Sequence, residues 1–264
     1  MLKPDYKNWV PRGLIAAAAA TAFVSLAGAV VFGTVGAIAS DTVRWGMFAV
    51  LLIIFFAAGL FFAWCVTAYR AFSYNGRRKM SKQIIDGIAK YINLPEQGTG
   101  LDVGCGSGAL TIACAKRNPQ GTMTGVDYWG KEYASFSKPL CESNAVAEGV
   151  ENVFFAKGNA IKLNFADETF DAVTSNYVYH NISVPDRKKL LEETLRVLKK
   201  GGVFAIHDIM SKSKYGDMQD FVNDLKRRGF EKVELIDTTN GIFMSPMESK
   251  RLMLSGSMLL IGKK

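Results

Sequence analysis

Two short stretches of this 264-residue chain hold the residues best suited to chemistry, LDVGCGSG at 101–108 and SNYVYHNI at 175–182. In the first, Gly104, Gly106 and Gly108 free the backbone to turn sharply and let a ligand approach with no Cβ in the way. A dinucleotide site needs the spacing GxGxxG, with a helix N-terminus aimed at a pyrophosphate. Here the third glycine comes one residue early, and Asp102 stands two residues before the first. A carboxylate there is ill suited to an anionic pyrophosphate and suits a ligand carrying an ammonium and a sulfonium. Asp127, expected at the end of the following strand, is placed to accept hydrogen bonds from a ribose diol. In the second stretch, His180 is one of only two histidines in the chain. Imidazole is the side chain that changes charge nearest neutral pH, so His180 could take a proton from an acceptor; the alternative is that it caps a turn or shapes a pocket wall. Tyr177 and Tyr179 alternate in direction, so one faces the acceptor and the other the core. His207 with Asp208 is a second candidate pair, with a pocket-wall role as its alternative.

These residues need a scaffold, and the chain from 81 onward supplies the pattern for one. A helical stretch SKQIIDGIAKYI is closed by Pro95. Strand candidates TGLDVG, GTMTGVD, NVFFAKG, FDAVTSN and GGVFAIHD then alternate with helical patterns near 108–117, 131–148 and 186–199. Such βαβ alternation predicts an α/β, Rossmann-like doubly wound sheet. After a helix near 216–228, EKVELID and SGSMLLIG follow so closely, with Gly241 and Pro246 between them, that they predict an antiparallel edge and at most a short helical turn. In such a sheet the ligand lies beyond the carboxyl ends of the strands, where LDVGCGSG and SNYVYHNI both arrive.

The acid before the glycines points to S-adenosylmethionine, and at this point residues 81–264 resemble a class I S-adenosylmethionine-dependent methyltransferase of the group that includes the quinone and small-molecule methylating enzymes. The resemblance rests on LDVGCGSG, on VDYWG at 126–130, on FDAVTSNYVYHNI at 170–182 and on LLEETLRVLKKGGVFAIHD at 190–208, in that order, with Lys200 where proline is common. It implies that Gly104, Cys105, Gly106, Ser107 and Gly108 meet the methionine end of the cofactor, with Asp102 behind them. It implies further that Asp127 meets the ribose and that Tyr128 and Trp129 meet the adenine face. Gly158, Asn159 and Ala160 match the loop that usually reads GDA and binds the adenine amino group; the amide oxygen of Asn159 can still accept that bond. Asn176, counted with the cofactor residues, opens Asn176, Tyr177, Val178 where the branch acting on nucleobase and glutamine amines has [DN]PPY. The missing prolines lower the case for such acceptors. Methyl transfer then needs the nucleophile in line with the methyl and, for a weakly acidic nucleophile, a base. The readings left open are a noncatalytic S-adenosylmethionine-binding module and, against the glycine spacing, a membrane-tied nicotinamide oxidoreductase.

The residues before 81 are of another kind. No charged residue occurs from Gly13 to Ser40 or from Trp45 to Tyr69, and each run exceeds the roughly 20 apolar residues that cross a hydrocarbon core. A transmembrane helical hairpin is therefore expected over 1–72, with spans near 13–40 and 45–69, a basic linker at 73–80 and the α/β domain at 81–264. A cleaved signal peptide is the alternative for the first run, opposed by its length and by the second run directly after it. Lys3, Lys7 and Arg12 before the hairpin and Arg70, Arg77, Arg78 and Lys79 after it place both termini and the domain on the cytoplasmic side. The charge is placed likewise: residues 1–80 hold eight Lys or Arg and two Asp or Glu, a net +6, against 24 and 22, a net +2, in residues 81–264. The basicity is a property of the lipid surface, and nucleic acid need not be invoked. Two spans without an intramembrane charge offer no ion path, which argues against a transporter. Gly28, Gly33, Gly36 and the alanines at 16–20 allow close helix approach, within the hairpin or, as the alternative, in a homodimer. The four cysteines show no CxxC spacing and the two histidines no ligand spacing, so neither a disulfide framework nor a metal site is expected. The expected acceptor is small and lipophilic, such as a quinone, lipid, phenol or thiol; a soluble acceptor with a merely anchoring hairpin is the alternative.

Overall fold

The computed structural model describes residues 3–35, 40–130 and 135–264, so the end of the first apolar run, with Gly36, and the start of the helical pattern at 131–148 lie outside the described residues. The chain divides into two compact units, residues 8–79 and, as the other, residues 1–7 together with 80–264.

The smaller unit is a helical hairpin, α1 (Arg12–Thr34) and α2 (Asp41–Phe72). Both helices are long and apolar enough to cross a membrane. At 1.5 Å per residue α2 is about 48 Å long, more than the roughly 30 Å hydrocarbon thickness. Ala18, Ser25 and Ala29 form the buried stripe of α1. A Cβ on Gly28 would lie 3.0 Å from Leu51, and one on Gly33 would lie 3.1 Å from Phe48, so the small-residue face of α1 is spent on α2. Phe23, Ile53 and Leu60 point outward, as lipid-facing side chains do.

The larger unit is an α/β domain whose seven strands are β1 (Thr99–Val103), β2 (Thr122–Asp127), β3 (Val153–Lys157), β4 (Phe170–Asn176), β5 (Leu198–Ile209), β6 (Glu231–Asp237) and β7 (Ser257–Lys263). They lie in the order β3-β2-β1-β4-β5-β7-β6, parallel from β3 to β5, with β7 antiparallel to both neighbours. The expected reversed pair is present, with β6 at the edge and β7 between it and β5. The reason is burial: Leu259 and Leu260 of β7 are buried, whereas β6 exposes Glu231, Lys232 and Glu234 and suits an edge.

Helices α3 (Met80–Ala89), α4 (Ala109–Arg117), α5 (Lys138–Ala147), α6 (Lys188–Arg196), α7 (Lys212–Tyr215), α8 (Met218–Arg227) and α9 (Pro246–Arg251) complete the domain. The amphipathic pattern decides their seating. In α8, Met218, Phe221, Val222 and Leu225 recur at helical spacing and are all buried, and Asp217 caps the helix by accepting from the amides of Gln219 and Asp220. Leu101, Val103, Val173, Phe204, Ile206 and Leu260 of the sheet share one core with Tyr179, Leu191 and Leu195. β1, β4 and β5 are neighbours in that order, so the segments leaving their carboxyl ends meet at one place.

Candidate active site

The turn after β1 is held in an unusual backbone state. Gly104, Gly106 and Gly108 have φ of 76°, 54° and 82°, the left-handed region open to glycine. A Cβ on Gly104 would lie 2.3 Å from Val178, so the turn also touches the segment after β4. At Gly106, which is half-buried, such a Cβ would just touch the ring of Phe136 at 4.0 Å, so a side chain there would be tolerated by space but not by φ. A Cβ-free cradle at the start of α4 fits the methionine end of S-adenosylmethionine.

The second-strand acid secures this turn. Asp127 accepts from the amide of Gly106 at 2.9 Å through one oxygen and from the amide of Trp129 at 2.7 Å through the other. The Gly106 carbonyl in turn accepts from the indole of Trp129 at 3.0 Å and from the Cys141 thiol at 3.2 Å. Trp129 thus leans on the glycine turn, while Tyr128 is exposed with the Lys157 ammonium 5.2 Å from its ring centre. Cys105 is buried, and burial pushes its thiol up, with Cys141 beside it; it is a packing residue, not a nucleophile. Asp102 is buried one layer below, where Thr111 donates to it at 2.6 Å. Burial lifts its pKa to about 7 against that bond, with the charge of Asp127 adding to the rise.

Gly158 follows β3 where a Cβ would lie 2.9 Å from Val126. Asn159 is exposed and its side-chain oxygen accepts from the amide of Ile161 at 2.9 Å, closing its own turn, with Ala160 beside it. That oxygen keeps a second lone pair able to accept another donor.

On the other side, Asn176 pairs in register with His207 across β4 and β5. His207 is fully buried, with Nδ1 2.9 Å from Asn176 Oδ1 and Nε2 2.9 Å from Thr238 Oγ1. Burial pushes its pKa down to about 3; a neutral ring with both nitrogens engaged is a wall, not a base. Tyr177 has φ of 54°, a strained state for a residue with a Cβ, and its hydroxyl lies 2.8 Å from Ser257 Oγ. Burial also raises its pKa, so the phenol stays protonated. Tyr179 is the core member of the pair, buried with its hydroxyl 2.6 Å from Thr194 Oγ1.

His180 stands in the turn at Tyr179–Asn181 with its side chain 15% exposed. Its Nδ1 pairs with Asp208 Oδ1, and its amide donates to Asp208 Oδ2 at 2.9 Å. Asp208 is completely buried and also accepts from the Tyr215 hydroxyl and the Ile209 amide, each at 2.7 Å. Burial opposes its charge, but the bond and charge of His180, followed by the bonds from Tyr215 and Ile209, outweigh it and hold the carboxyl below its ordinary range. A carboxylate fixed on Nδ1 leaves Nε2 as the acceptor nitrogen, in the arrangement of a general base with its orienting acid. Sequence reasoning had set Asp208 beside His207; its partner is His180. The signal was available, because β4 and β5 are parallel neighbours whose next residues leave the sheet together. Ser257, Thr238 and Tyr215 carried no such signal.

Residues 101–206 match the family described as "Methyltransferase domain". Among curated relatives, the chain is 37% identical over 125 residues to a demethylmenaquinone methyltransferase of Bacillus licheniformis, covering 47% of this chain and 50% of the relative. It is 40% identical over 118 residues to one of Staphylococcus aureus, covering 44% and 45%. The chain thus spans about half the length of the curated relatives it matches. Among solved structures, the geranyl diphosphate methyltransferase in complex with GPP and sinefungin shares the fold, with a TM-score of 0.54 at 13% identity over 74% of this chain and 81% of that one. The [4+2]-cyclase SpnF does so too, with a TM-score of 0.53 at 19% identity over 70% and 81%. A fold that serves a protein named as a cyclase does not by itself dictate methyl transfer; the matched residues carry that part. Together they show that residues 101–206 of this chain match a methyltransferase domain, for which S-adenosylmethionine is the cofactor.

Proposed function

We propose that the protein is a membrane-anchored methyltransferase that transfers a methyl group to a small lipophilic acceptor, with a quinone-type ring as the leading class, at the cytoplasmic face of the membrane. The observation that carries this reading is the His180–Asp208 pair, set at the ends of β4 and β5 in the segment whose Val178 touches the glycine turn of β1. The cofactor, when bound, supplies an electrophilic methyl on its sulfonium. The chain's residues do the rest. Gly104, Cys105, Gly106, Ser107 and Gly108 cradle the methionine end, and the Asp102 carboxylate offsets the cofactor's positive charge. Asp127, Tyr128, Trp129, Gly158, Asn159, Ala160 and Asn176 line the nucleoside side. His180 takes the acceptor's proton on Nε2 as the nucleophile attacks, while Asp208 holds the ring and stabilises the imidazolium that forms. The protonated Tyr177 borders the same space, its ring 6.0 Å from that of His180 and its hydroxyl engaged with Ser257.

Three features support a lipophilic acceptor. The two curated relatives described above are named for demethylmenaquinone, and α1 and α2 suit a bilayer. At the carboxyl end of the sheet, the connection from β6 to β7 packs Phe243 on His207 with ring centres 5.4 Å apart. It also leaves Ile242, Met247 and Met253 outward, the two methionines 80% and 72% exposed, near Lys250 and Arg251. Apolar side chains among cations at the mouth of a site suit an anionic bilayer surface.

The test uses detergent-purified protein and methyl-labelled S-adenosylmethionine, offered a total membrane-lipid extract or a soluble metabolite extract. Label is expected in the organic phase; label confined to the aqueous phase would reduce the hairpin to an anchor. Asp127→Ala should weaken cofactor binding about tenfold, the equivalent of one strong hydrogen bond. Unchanged binding there would remove Asp127 from the site. Met247→Glu with Met253→Glu should raise KM for a vesicle-borne acceptor several-fold and leave cofactor affinity alone; an unchanged KM would count against lipid contact at α9.

A further inference from the structure

The seven residues before Asn8 belong with the cofactor domain and not with the hairpin that follows them. Their contacts converge on the glycine turn. The Ser107 hydroxyl donates to the backbone carbonyl of Tyr6 at 3.0 Å. Asn144 of α5, itself buried, accepts from the amide of Asp5 at 2.7 Å and donates to the carbonyls of Asp5 at 3.1 Å and Ser107 at 2.9 Å. One amide side chain therefore clasps the N-terminal segment and the turn together. Tyr6 is buried, and its hydroxyl donates to Glu148 at 3.1 Å, which also pairs with Lys116 of α4. The segment ends at Lys7, whose φ of 54° and bond to the Asp5 carboxylate turn the chain away. The next residue, Asn8, donates to the carbonyl of Tyr69 in α2 at 2.8 Å.

We propose that residues 3–7 are a strap that positions the Ser107 turn for the cofactor. Asp5, Tyr6 and Asn144 act as positioning residues. They contact the turn through the hydroxyl and the carbonyl of Ser107 and leave the amide and carbonyl of Gly106 to Asp127 and Trp129. The inference rests on S-adenosylmethionine being the ligand of this turn. Fastening a loop in its bound conformation lowers the ordering cost that the ligand would otherwise meet. A released strap would leave Ser107 and Asn144 to water and the turn free to relax, at the expense of cofactor affinity.

The strap uses backbone atoms of Asp5, so Asp5→Pro, which deletes the amide donor, is the variant that touches no atom of residues 80–264. Asn144→Ala removes the clasp from the domain side. S-adenosylmethionine affinity is measured by titration calorimetry on the full chain in detergent, and KM values for cofactor and acceptor are measured alongside. Each variant is expected to bind S-adenosylmethionine about five- to tenfold more weakly, with KM for the cofactor raised and KM for the acceptor unchanged. The double variant should be no weaker than the worse single one, since both break the same clasp. Asp5→Pro within twofold of the native affinity, or fully additive losses in the double variant, would overturn the strap. A native chain that binds no S-adenosylmethionine would instead sink the reading of the ligand.

Discussion

His180→Ala is expected to lower the rate of methyl transfer by about 100- to 1,000-fold while S-adenosylmethionine affinity stays within twofold. The range is what a positioned general base contributes. The split between rate and binding follows from placement: His180 lies in the turn after β4 and is held by Asp208, and among the described residues no hydrogen bond links it to the glycine turn or to Asp127. Asp208→Asn tests the same unit from behind. Asparagine keeps the size but loses the charge, so His180 loses the partner that fixes its ring and stabilises its protonated form. A fall of tenfold or more is expected, again without loss of cofactor affinity. The two variants should not add, because a base and its orienting acid act as one unit. If His180→Ala lost cofactor binding and turnover together, the residue would be structural and its pairing with Asp208 a packing device. If neither variant mattered, a noncatalytic cofactor-binding module would become the better reading.

The pairing also shows where sequence reasoning reached and where it stopped. The glycine turn, the acid ending β2 and the segment after β4 were legible because each depends on residue type at fixed spacing along a strand–turn–helix unit. The meeting of His180 with Asp208 needed one further step, that β4 and β5 lie side by side, and strand order is a tertiary property. Helix α9 was legible in part: Ser245 and Glu248 form a reciprocal cap around Pro246, a local signature that a short segment between two strands made easy to pass over. The placement of β7 between β5 and β6 was not local at all, since it depends on which of two strands buries more surface. The strap was invisible for another reason. Its bonds use the backbone of Asp5 and Tyr6, and backbone atoms leave no mark in a sequence.

Asp102 carries the second large effect, and its sign is set by where the proton sits. Burial lifts its pKa to about 7 in the cofactor-free domain, while the bond from Thr111 pulls the other way and the charge of Asp127 adds to the rise. Below that pH the group is protonated and offers nothing to a cation. An ammonium and a sulfonium nearby favour the carboxylate, so the bound state has the lower pKa. S-adenosylmethionine affinity should therefore be level above about pH 8 and should fall below pH 7, by up to about tenfold per pH unit. Stability of the cofactor-free domain runs the opposite way for this group. A carboxyl whose folded pKa is raised favours the folded state at low pH, and that contribution is lost as pH rises from about 4 through about 7. Cofactor should thus raise the melting temperature more at pH 8 than at pH 6. Asp102→Asn keeps the bond with Thr111 and removes the charge. It should bind S-adenosylmethionine about 10- to 100-fold more weakly at pH 8, the value of a charge-assisted contact at a buried site, and should show a flat pH profile. Calorimetric titrations of both proteins at pH 6, 7 and 8 decide the matter. An asparagine variant that binds as tightly as the native chain at pH 8 would make Asp102 a structural partner of Thr111, and a native profile without pH dependence would place its charge out of reach of the cofactor.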